Sequence, residues 1–363
     1  MIEKYIIVFC MAKVYWYQTL FFIIFLWVLS YTFWDEYIEF QKSQRVQQEY
    51  QVFLIDSNTT FQHSWLIKLW DDTQLHHTPD LEFLEKLVID IDQAKERVWL
   101  EVYIFTEKRI LQALLRAHHR GIDVKVLLEN NPYMIPNIND KHYEILKESW
   151  IPVKWSDPLN YALNHSKFII VDDTCYISTG NYSFASFKSN RDIFLEVQHP
   201  DIVRELVTLF THDYTHQPFW VMHPNIVLSP DNSRAKIQSL FEEAQDRIAM
   251  YFPYMSDMKL LELVIETAKR WIRIDFVIWE DTQENSIEEI RELQEAWVRL
   301  YFMKNPKLHA KAILMDEKIL YIGSINFSRH SMDSNRELGL LLTDRHIIKD
   351  FLNIFSHDMW SNQ

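Results

Sequence analysis

Glycine is nearly missing from this chain: there are four in 363 residues, where ordinary usage gives about 25. Helix ends and tight turns must therefore be made largely by residues with a Cβ. Cysteine is scarce too. Cys10 and Cys175 lie far apart in sequence, so neither a disulfide framework nor a cysteine-rich zinc site can be built from them. Positive charge is in deficit, with 37 Lys and Arg against 51 Asp and Glu and a formal net charge of -14. Such a field disfavours nucleic acid as a partner unless basic groups are gathered in a cleft. What is present in quantity is apolar surface, at 48% of residues, and tryptophan, at 13. A disordered or fibrous chain is excluded by this balance, and the length suits two compact domains.

Residues 14–34 carry no charge and as a helix would span about 31 Å, one bilayer crossing. Aromatic side chains crowd both ends (Tyr15, Trp16 and Tyr17; Tyr31, Phe33 and Trp34), as at two headgroup layers. A cleaved signal peptide would instead end in small residues. Lys4 and Lys13 precede the segment and Asp35, Glu36 and Glu39 follow it, which places the N-terminus in the cytoplasm and the rest outside the cell membrane. Met11 offers a second start that keeps the span and removes Cys10. The expected organisation is an anchor at 1–34, a polar, Gln-rich stem at 35–64, and a catalytic body beyond it.

That body repeats itself. Ala94-Lys95-Glu96-Arg97-Val98 recurs as Ala244-Gln245-Asp246-Arg247-Ile248, and each leads into a strand-like apolar run. Each copy then predicts a helix (108–120; 258–270), a strand (122–128; 272–278), a second helix (140–149; 287–296) and a second strand (151–155; 298–303). An amphipathic helix closes each copy, at 201–214 and 345–355. Strands alternating with helices of this length predict α/β sheets with parallel pairings. The fold class expected is two tandem α/β lobes, about 65–218 and 219–363, preceded by one transmembrane helix.

The chemistry-bearing residues fall in the same repeat. His165-Ser166-Lys167 is followed after four residues by Asp172, and His309-Ala310-Lys311 by Asp316. The segments read as strands, which puts each His and Lys, two apart, on one face. An imidazole thus stands beside a fixed cation, twice. Downstream lie Gly323-Ser324-Ile325-Asn326 and Asn335-Arg336-Glu337 in the second copy, and Gly180-Asn181-Tyr182-Ser183 and Asn190-Arg191-Asp192 in the first.

The doubled H-x-K-x4-D with G-S-x-N resembles the phospholipase D superfamily, in the form that carries both motifs on one chain, cardiolipin-synthase-like proteins among them. The resemblance covers nearly everything after residue 65. It implies two lobes packed about a pseudo-twofold axis, with one cleft acting on a phosphodiester. By the same resemblance the catalytic set is His165, Lys167, Asp172, His309, Lys311 and Asp316, the two aspartates being supports more structural than chemical. Asn181, Ser183, Ser324 and Asn326 would bind substrate, and Asp192 and Glu337 would accept from the imidazoles and orient them. His165 is expected to be the nucleophile and His309 the acid/base, since the family usually gives the first copy that role. Copy one departs from the pattern, with Gly-Asn-Tyr-Ser for Gly-Ser-x-Asn and the shorter Asp192 opposite Glu337.

The function expected is a membrane-anchored phosphodiesterase or phosphatidyltransferase acting on phospholipid through a phosphohistidine, without cofactor or metal, on a monomeric chain. A nuclease of the same superfamily is the alternative, and the charge argues against it. A catalytically silent scaffold is a third reading, against which both intact His and Lys pairs stand. His212 and His216 have the spacing of a zinc pair but read better as a solvated helix end. His76-His77, His118-His119 and the acidic run 280–292 read as surface. The apolar loop 132–136 is open between contacting an acyl chain and packing under the first lobe.

The last anomaly joins the glycine deficit to the tryptophan surplus. Gly121 lies between helix and strand, where a left-handed residue is wanted. Its counterpart in copy two is Trp271, and Trp150 and Trp297 occupy the next such junction in the two copies. Either these junctions use another geometry, with the rings buried against the lobes, or the gene encodes glycine there by UGA and the chain as written carries tryptophan.

Overall fold

The computed structural model describes residues 66–69 and 72–361. The expected anchor and stem lie outside the described residues. Among those described, no helix is long and apolar enough to cross a membrane.

The elements run β1 (Thr73–His77), α1 (Leu81–Gln93), β2 (Arg97–Val102), α2 (Lys108–His119), β3 (Asp123–Leu128), α3 (Asp140–Glu148), β4 (Val153–Trp155), β5 (Lys167–Val171), β6 (Thr174–Ser178), α4 (Phe184–Lys188), β7 (Asn190–Arg191), β8 (Ile193–Val197) and α5 (Pro200–Thr215). They continue as β9 (Ile226–Ser229), α6 (Ser233–Glu242), β10 (Arg247–Phe252), α7 (Met258–Lys269), β11 (Arg273–Trp279), α8 (Thr282–Asn285), α9 (Ile287–Glu295), β12 (Arg299–Met303), β13 (Lys307–Leu308), β14 (Ala312–Met315), β15 (Ile319–Gly323), α10 (Arg329–Asp333), β16 (Glu337–Leu342) and α11 (Arg345–Ser361).

Two seven-stranded sheets result, ordered β1-β8-β6-β5-β2-β3-β4 and β12-β11-β10-β14-β15-β16-β9. The parallel pairings read from the repeat are present as β2-β3-β4 and β10-β11-β12. The other half of each sheet is antiparallel, because β5 and β14 enter against β2 and β10 and turn back through tight hairpins. The strands are apolar on both faces, β5 and β14 being buried at every position, as expected for sheets covered on two sides. One continuous core joins residues of both sheets, such as Phe168, Leu195, Leu314 and Leu340, with Phe210 of α5 and Phe355 of α11. Helices α1 and α6, which open the two lobes, were not foreseen from sequence. Leu84, Leu87 and Ile91 of α1 are fully buried.

The helix-to-strand junctions have one geometry whatever residue fills them. Gly121 has φ +87°, and Trp150, Trp271 and Trp297 have +60°, +69° and +67°. In three of them the next residue donates back five positions: Ile122 to Ala117, Ile151 to Leu146 and Val298 to Leu293. That is the capping bond of a helix ending on a left-handed residue. The rings are not buried against the lobes; Trp150, Trp271 and Trp297 are 87%, 92% and 86% exposed.

Candidate active site

His165 and Lys167 stand at the entry to β5, and His309 and Lys311 just before β14. The structure places Asp172 and Asp316 at the opposite ends of those strands. Each sits in a turn at φ +51° and accepts from three consecutive backbone N–H groups: Lys95, Glu96 and Arg97 for Asp172, and Gln245, Asp246 and Arg247 for Asp316. They lock the strand that ends on an imidazole to the strand beside it, and they do not face the cleft.

Each histidine takes its carboxylate from the other half of the chain. His165 Nδ1 lies 2.7 Å from Glu337 Oε2, and His309 Nδ1 lies 2.7 Å from Asp192 Oδ1. The backbone is exchanged in the same way, since His165 N donates to Arg336 O and His309 N to Arg191 O. Burial alone would raise both acids. Glu337 is held below the usual carboxylate range by His165, Lys167 and the Ser324 hydroxyl, and Asp192 by His309, Lys311 and the Thr179 hydroxyl. An ionised carboxylate only accepts, so Nδ1 of each ring carries a proton and Nε2 is left available.

The two lysines have no accessible surface. Lys167 Nζ donates to His165 O, and Lys311 Nζ to His309 O and Thr179 O, with His309 Nε2 3.1 Å away. Burial lowers Lys167 well below its ordinary value and brings Lys311 to about 8, against the pull of Asp192 and Glu337. Burial, helped by the lysines, also takes His165 down to about 4 and lowers His309. The halves are not identical. Tyr103 sets its ring edge against His165, centroids 4.5 Å apart, and the side chain of His165 is 9% exposed against 24% for His309.

The four residues expected to bind substrate separate into two kinds. Ser183 Oγ caps α4 by accepting from Ser186 N. Ser324 Oγ donates to Glu337 Oε2 at 2.6 Å and accepts from Leu338 N. Both hydroxyls are thus engaged in holding the frame. Asn181 and Asn326 are buried, and the Oδ1 of each has no protein partner; that oxygen only accepts, so it is the Nδ2 hydrogens of these amides that could donate to a phosphoryl oxygen.

The departure of copy one comes from pairing the copies two residues out of step. Ser178 is the last residue of β6 and Gly323 the last of β15, so Ser-Thr-Gly-Asn-Tyr-Ser stands opposite Gly-Ser-Ile-Asn-Phe-Ser. Thr179 then matches Ser324, and its Oγ1 donates to Asp192 Oδ1 at 3.0 Å. Sequence reading missed Thr179, although the hydroxyl-to-acid spacing of 13 residues is the same in both copies. The glycine that follows meets a close approach, since a Cβ on Gly180 would lie 2.4 Å from the Asp192 carboxyl.

Two more supports were missed. Arg336 is wholly buried and pairs with Asp213 at 2.8 Å, while Arg191 makes a two-pronged pair with Asp358 at 2.7 and 2.8 Å. Asp213 closes α5 and Asp358 lies in α11, so each closing helix reaches to the other copy and braces the arginine that precedes the acid of its own copy's histidine. The repeated Phe210-Thr211-His212-Asp213 and Phe355-Ser356-His357-Asp358 is the signal that would have found them. His212 and His216 do not form a metal pair; they bond the carbonyls of Pro218 and Trp155. Among the described residues no cluster of His, Cys, Asp and Glu is arranged to hold a metal ion. His76 is half-buried, bonded to Glu196 and stacked on Phe83.

Two imidazoles on carboxylate braces, beside two buried lysines and two asparagine side chains, bring together the kinds of group that displacement at a phosphodiester requires. The comparisons agree with that class. The family model of the cardiolipin synthase, phospholipase D-like domain matches residues 87–214 and 237–360, and the chain belongs to this family. Curated relatives include cardiolipin synthase B of Escherichia coli (strain K12), 23% identical over 313 residues, covering 72% of this chain and 75% of the relative. The major cardiolipin synthase of Bacillus subtilis (strain 168) is 24% identical over 328 residues, covering 76% and 66%. Among solved structures, a phosphatidylserine synthase from Haemophilus influenzae Rd KW20 superposes with a TM-score of 0.66 at 14% identity, covering 82% of this chain and 88% of that one. A polyphosphate kinase from Porphyromonas gingivalis gives 0.63 at 15%, over 79% and 50%. At these identities the structural likeness speaks for the fold.

Proposed function

We propose that this chain is a phosphatidyltransferase or phosphodiesterase of membrane phospholipids that works through a phosphohistidine on His165, with residues 14–34 as its anchor and the body on the extracytoplasmic side. The observation that carries the reading is the exchanged pair of imidazoles, each fixed at Nδ1 by an acid from the other half. The names of the curated relatives, cardiolipin synthases, support phospholipid as the substrate class.

In the first step His165 Nε2 attacks phosphorus, the P–O bond to the departing alcohol breaks, and His309, entering the step as the imidazolium with Asp192 behind Nδ1, gives that oxygen the proton from Nε2 and becomes neutral. In the second, His309 removes the proton from an incoming alcohol or water, whose oxygen attacks phosphorus as the N–P bond breaks. A ring held near 4 is unprotonated at neutral pH and ready to attack. The more exposed His309 stands where an acceptor arrives, and Asp192 stabilises it when it is charged. Lys167, Lys311, Asn181 and Asn326 would hold the non-bridging oxygens as charge builds on them.

The test is product analysis of the full chain on headgroup-labelled phosphatidylglycerol in vesicles, beside single-stranded DNA, followed by acid quenching to trap labelled phosphorus. Diphosphatidylglycerol or free headgroup, with label on His165, is the expected result. Cleavage of DNA alone would overturn the substrate class, and label on His309 would reverse the roles. Protease added outside intact cells should digest the body; full protection would reverse the topology.

A further inference from the structure

The loop between β3 and α3 runs Asn130 to Asn139 without a charge, in a chain whose net charge is -14. It does not pack under the first lobe. Tyr133, Met134, Ile135 and Ile138 are 75%, 82%, 42% and 39% exposed, with Met134 at its tip. Its base, in contrast, is tied down. Asn139 is fully buried, donates to the carbonyls of Tyr103 and Glu129, and accepts from Phe105 N. The Tyr133 N–H donates to the Tyr103 hydroxyl at 2.6 Å, and Tyr103 is the residue whose ring lies against His165 and beneath Lys167. One tyrosine therefore separates this apolar loop from an attacking imidazole. From the second lobe comes Tyr254, 42% exposed; burial, with Glu337, Tyr103 and Tyr133 close by, pushes its hydroxyl up to about 12.

We propose that the segment from Tyr133 to Ile138, with Tyr254, is an interfacial lip that enters the headgroup–acyl boundary of a lipid bilayer and holds the cleft on the surface from which its diester comes. This rests on the phospholipid reading for the identity of the diester, while the contact with lipid is argued separately. A monomeric soluble surface seldom gathers apolar side chains at a rigid loop tip without covering them. Apolar and aromatic side chains are those that settle at the bilayer interface. An uncharged window is also where an acidic protein can approach an anionic surface without repulsion. Continuity with His165 through Tyr103 then fixes what the lip is for: chains lying along it would place their phosphoryl group at the lysines.

The experiment uses the full chain in vesicles of phosphatidylcholine and phosphatidylglycerol. With Cys10 changed to Ser and Cys175 fully buried, Met134→Cys gives one reactive thiol for an environment-sensitive fluorophore, and Glu295→Cys on exposed α9 gives the control. Acyl-chain nitroxides should quench the label at 134 and leave the one at 295 untouched; equal, water-like signals at both overturn the lip. A second arm replaces Tyr133, Met134 and Ile135 by Ser. Turnover of vesicle phospholipid should fall at least about tenfold, while bis(4-nitrophenyl) phosphate in solution is hydrolysed within about twofold of the parent rate. Equal loss on both substrates, or on neither, also overturns it. If the label at 134 is quenched but no phospholipid is turned over, the lip stands and the substrate reading fails.

Discussion

Replacing Trp150, Trp271 and Trp297 by glycine should stabilise the protein, against the usual rule that removing a large ring costs stability. All three sit at φ between +60° and +69°, a conformation that costs a residue with a Cβ ~1–2 kcal/mol. None of that is offset by burial, since the rings are 86–92% exposed and deleting them opens no cavity. Glycine is more flexible when unfolded, which takes back ~0.5–1 kcal/mol. The net is about 0.5–1 kcal/mol per site and about 1.5–3 kcal/mol for the triple variant, if the sites act independently. Thermal unfolding should rise by roughly 4–10 °C in a body of this size, and the urea midpoint should rise at unchanged slope. Trp155→Gly is the control. Its ring stacks on Tyr143 at 3.9 Å, and its loss should cost about 2–4 kcal/mol. A triple variant less stable than the parent would refute the reasoning, as it would show rings that do pack. The gene gives a second reading: UGA at codons 150, 271 and 297 would make these positions glycine in the organism, and UGG at all three ends that explanation while leaving the strain in place.

Lys311 is held at about 8, so kcat/KM should fall as pH rises through that value and the ammonium is lost. Lys311→Arg, which stays charged, should carry the fall beyond pH 10 at a reduced maximum; an unmoved limb would assign it to another group. Asp192→Asn should lower kcat by ~10²–10⁴-fold, as loss of the acid behind a catalytic histidine does elsewhere, and Glu337→Gln should do likewise from the other half. Near-parental rates in either would show that the imidazoles need no such brace. Thr179→Ala removes a bond to Asp192 and should cost about tenfold in kcat, with Thr179→Ser restoring it; failure of Ser to rescue would point to damaged packing. Dialysis against EDTA should leave turnover intact, because two lysines and two amides supply the positive field, and recovery that requires added zinc or magnesium would contradict this.

Much of this arrangement is local and therefore legible in the chain. The H-x-K strands and the closing helices carry their own periodicity. Pairing information is less local. Nothing within HSKFIIVDD states that β5 runs against β2, and the parallel signal of the strand-helix alternation extends only to half of each sheet. The exchange of acids between halves is invisible for the same reason: Asp192 and Glu337 were named from their place after the second motif, but 172 residues separate His165 from its partner. Thr179 was hidden by a different cause. The glycine of Gly-Ser-x-Asn suggests one alignment of the copies, whereas the backbone aligns on the end of the strand, and copy one carries its glycine two residues later. Asp213 and Asp358 act through buried arginines, and an acid inside an amphipathic helix looks like an ordinary solvated face until the helix is docked.

The exchanged braces also constrain how such a gene can change. After a duplication, one copy is ordinarily free to decay or take a new role while its twin carries on. Here a substitution at Glu337 strikes the histidine of the first copy, and one at Asp192 strikes that of the second, so neither half has a phenotype of its own. A chain ending after α5 would keep an intact H-x-K segment and no acid to orient it. Two differently damaged alleles could rescue each other only by exchanging whole lobes between molecules. Wherever the braces are needed, the two copies stand or fall together although they differ at most positions.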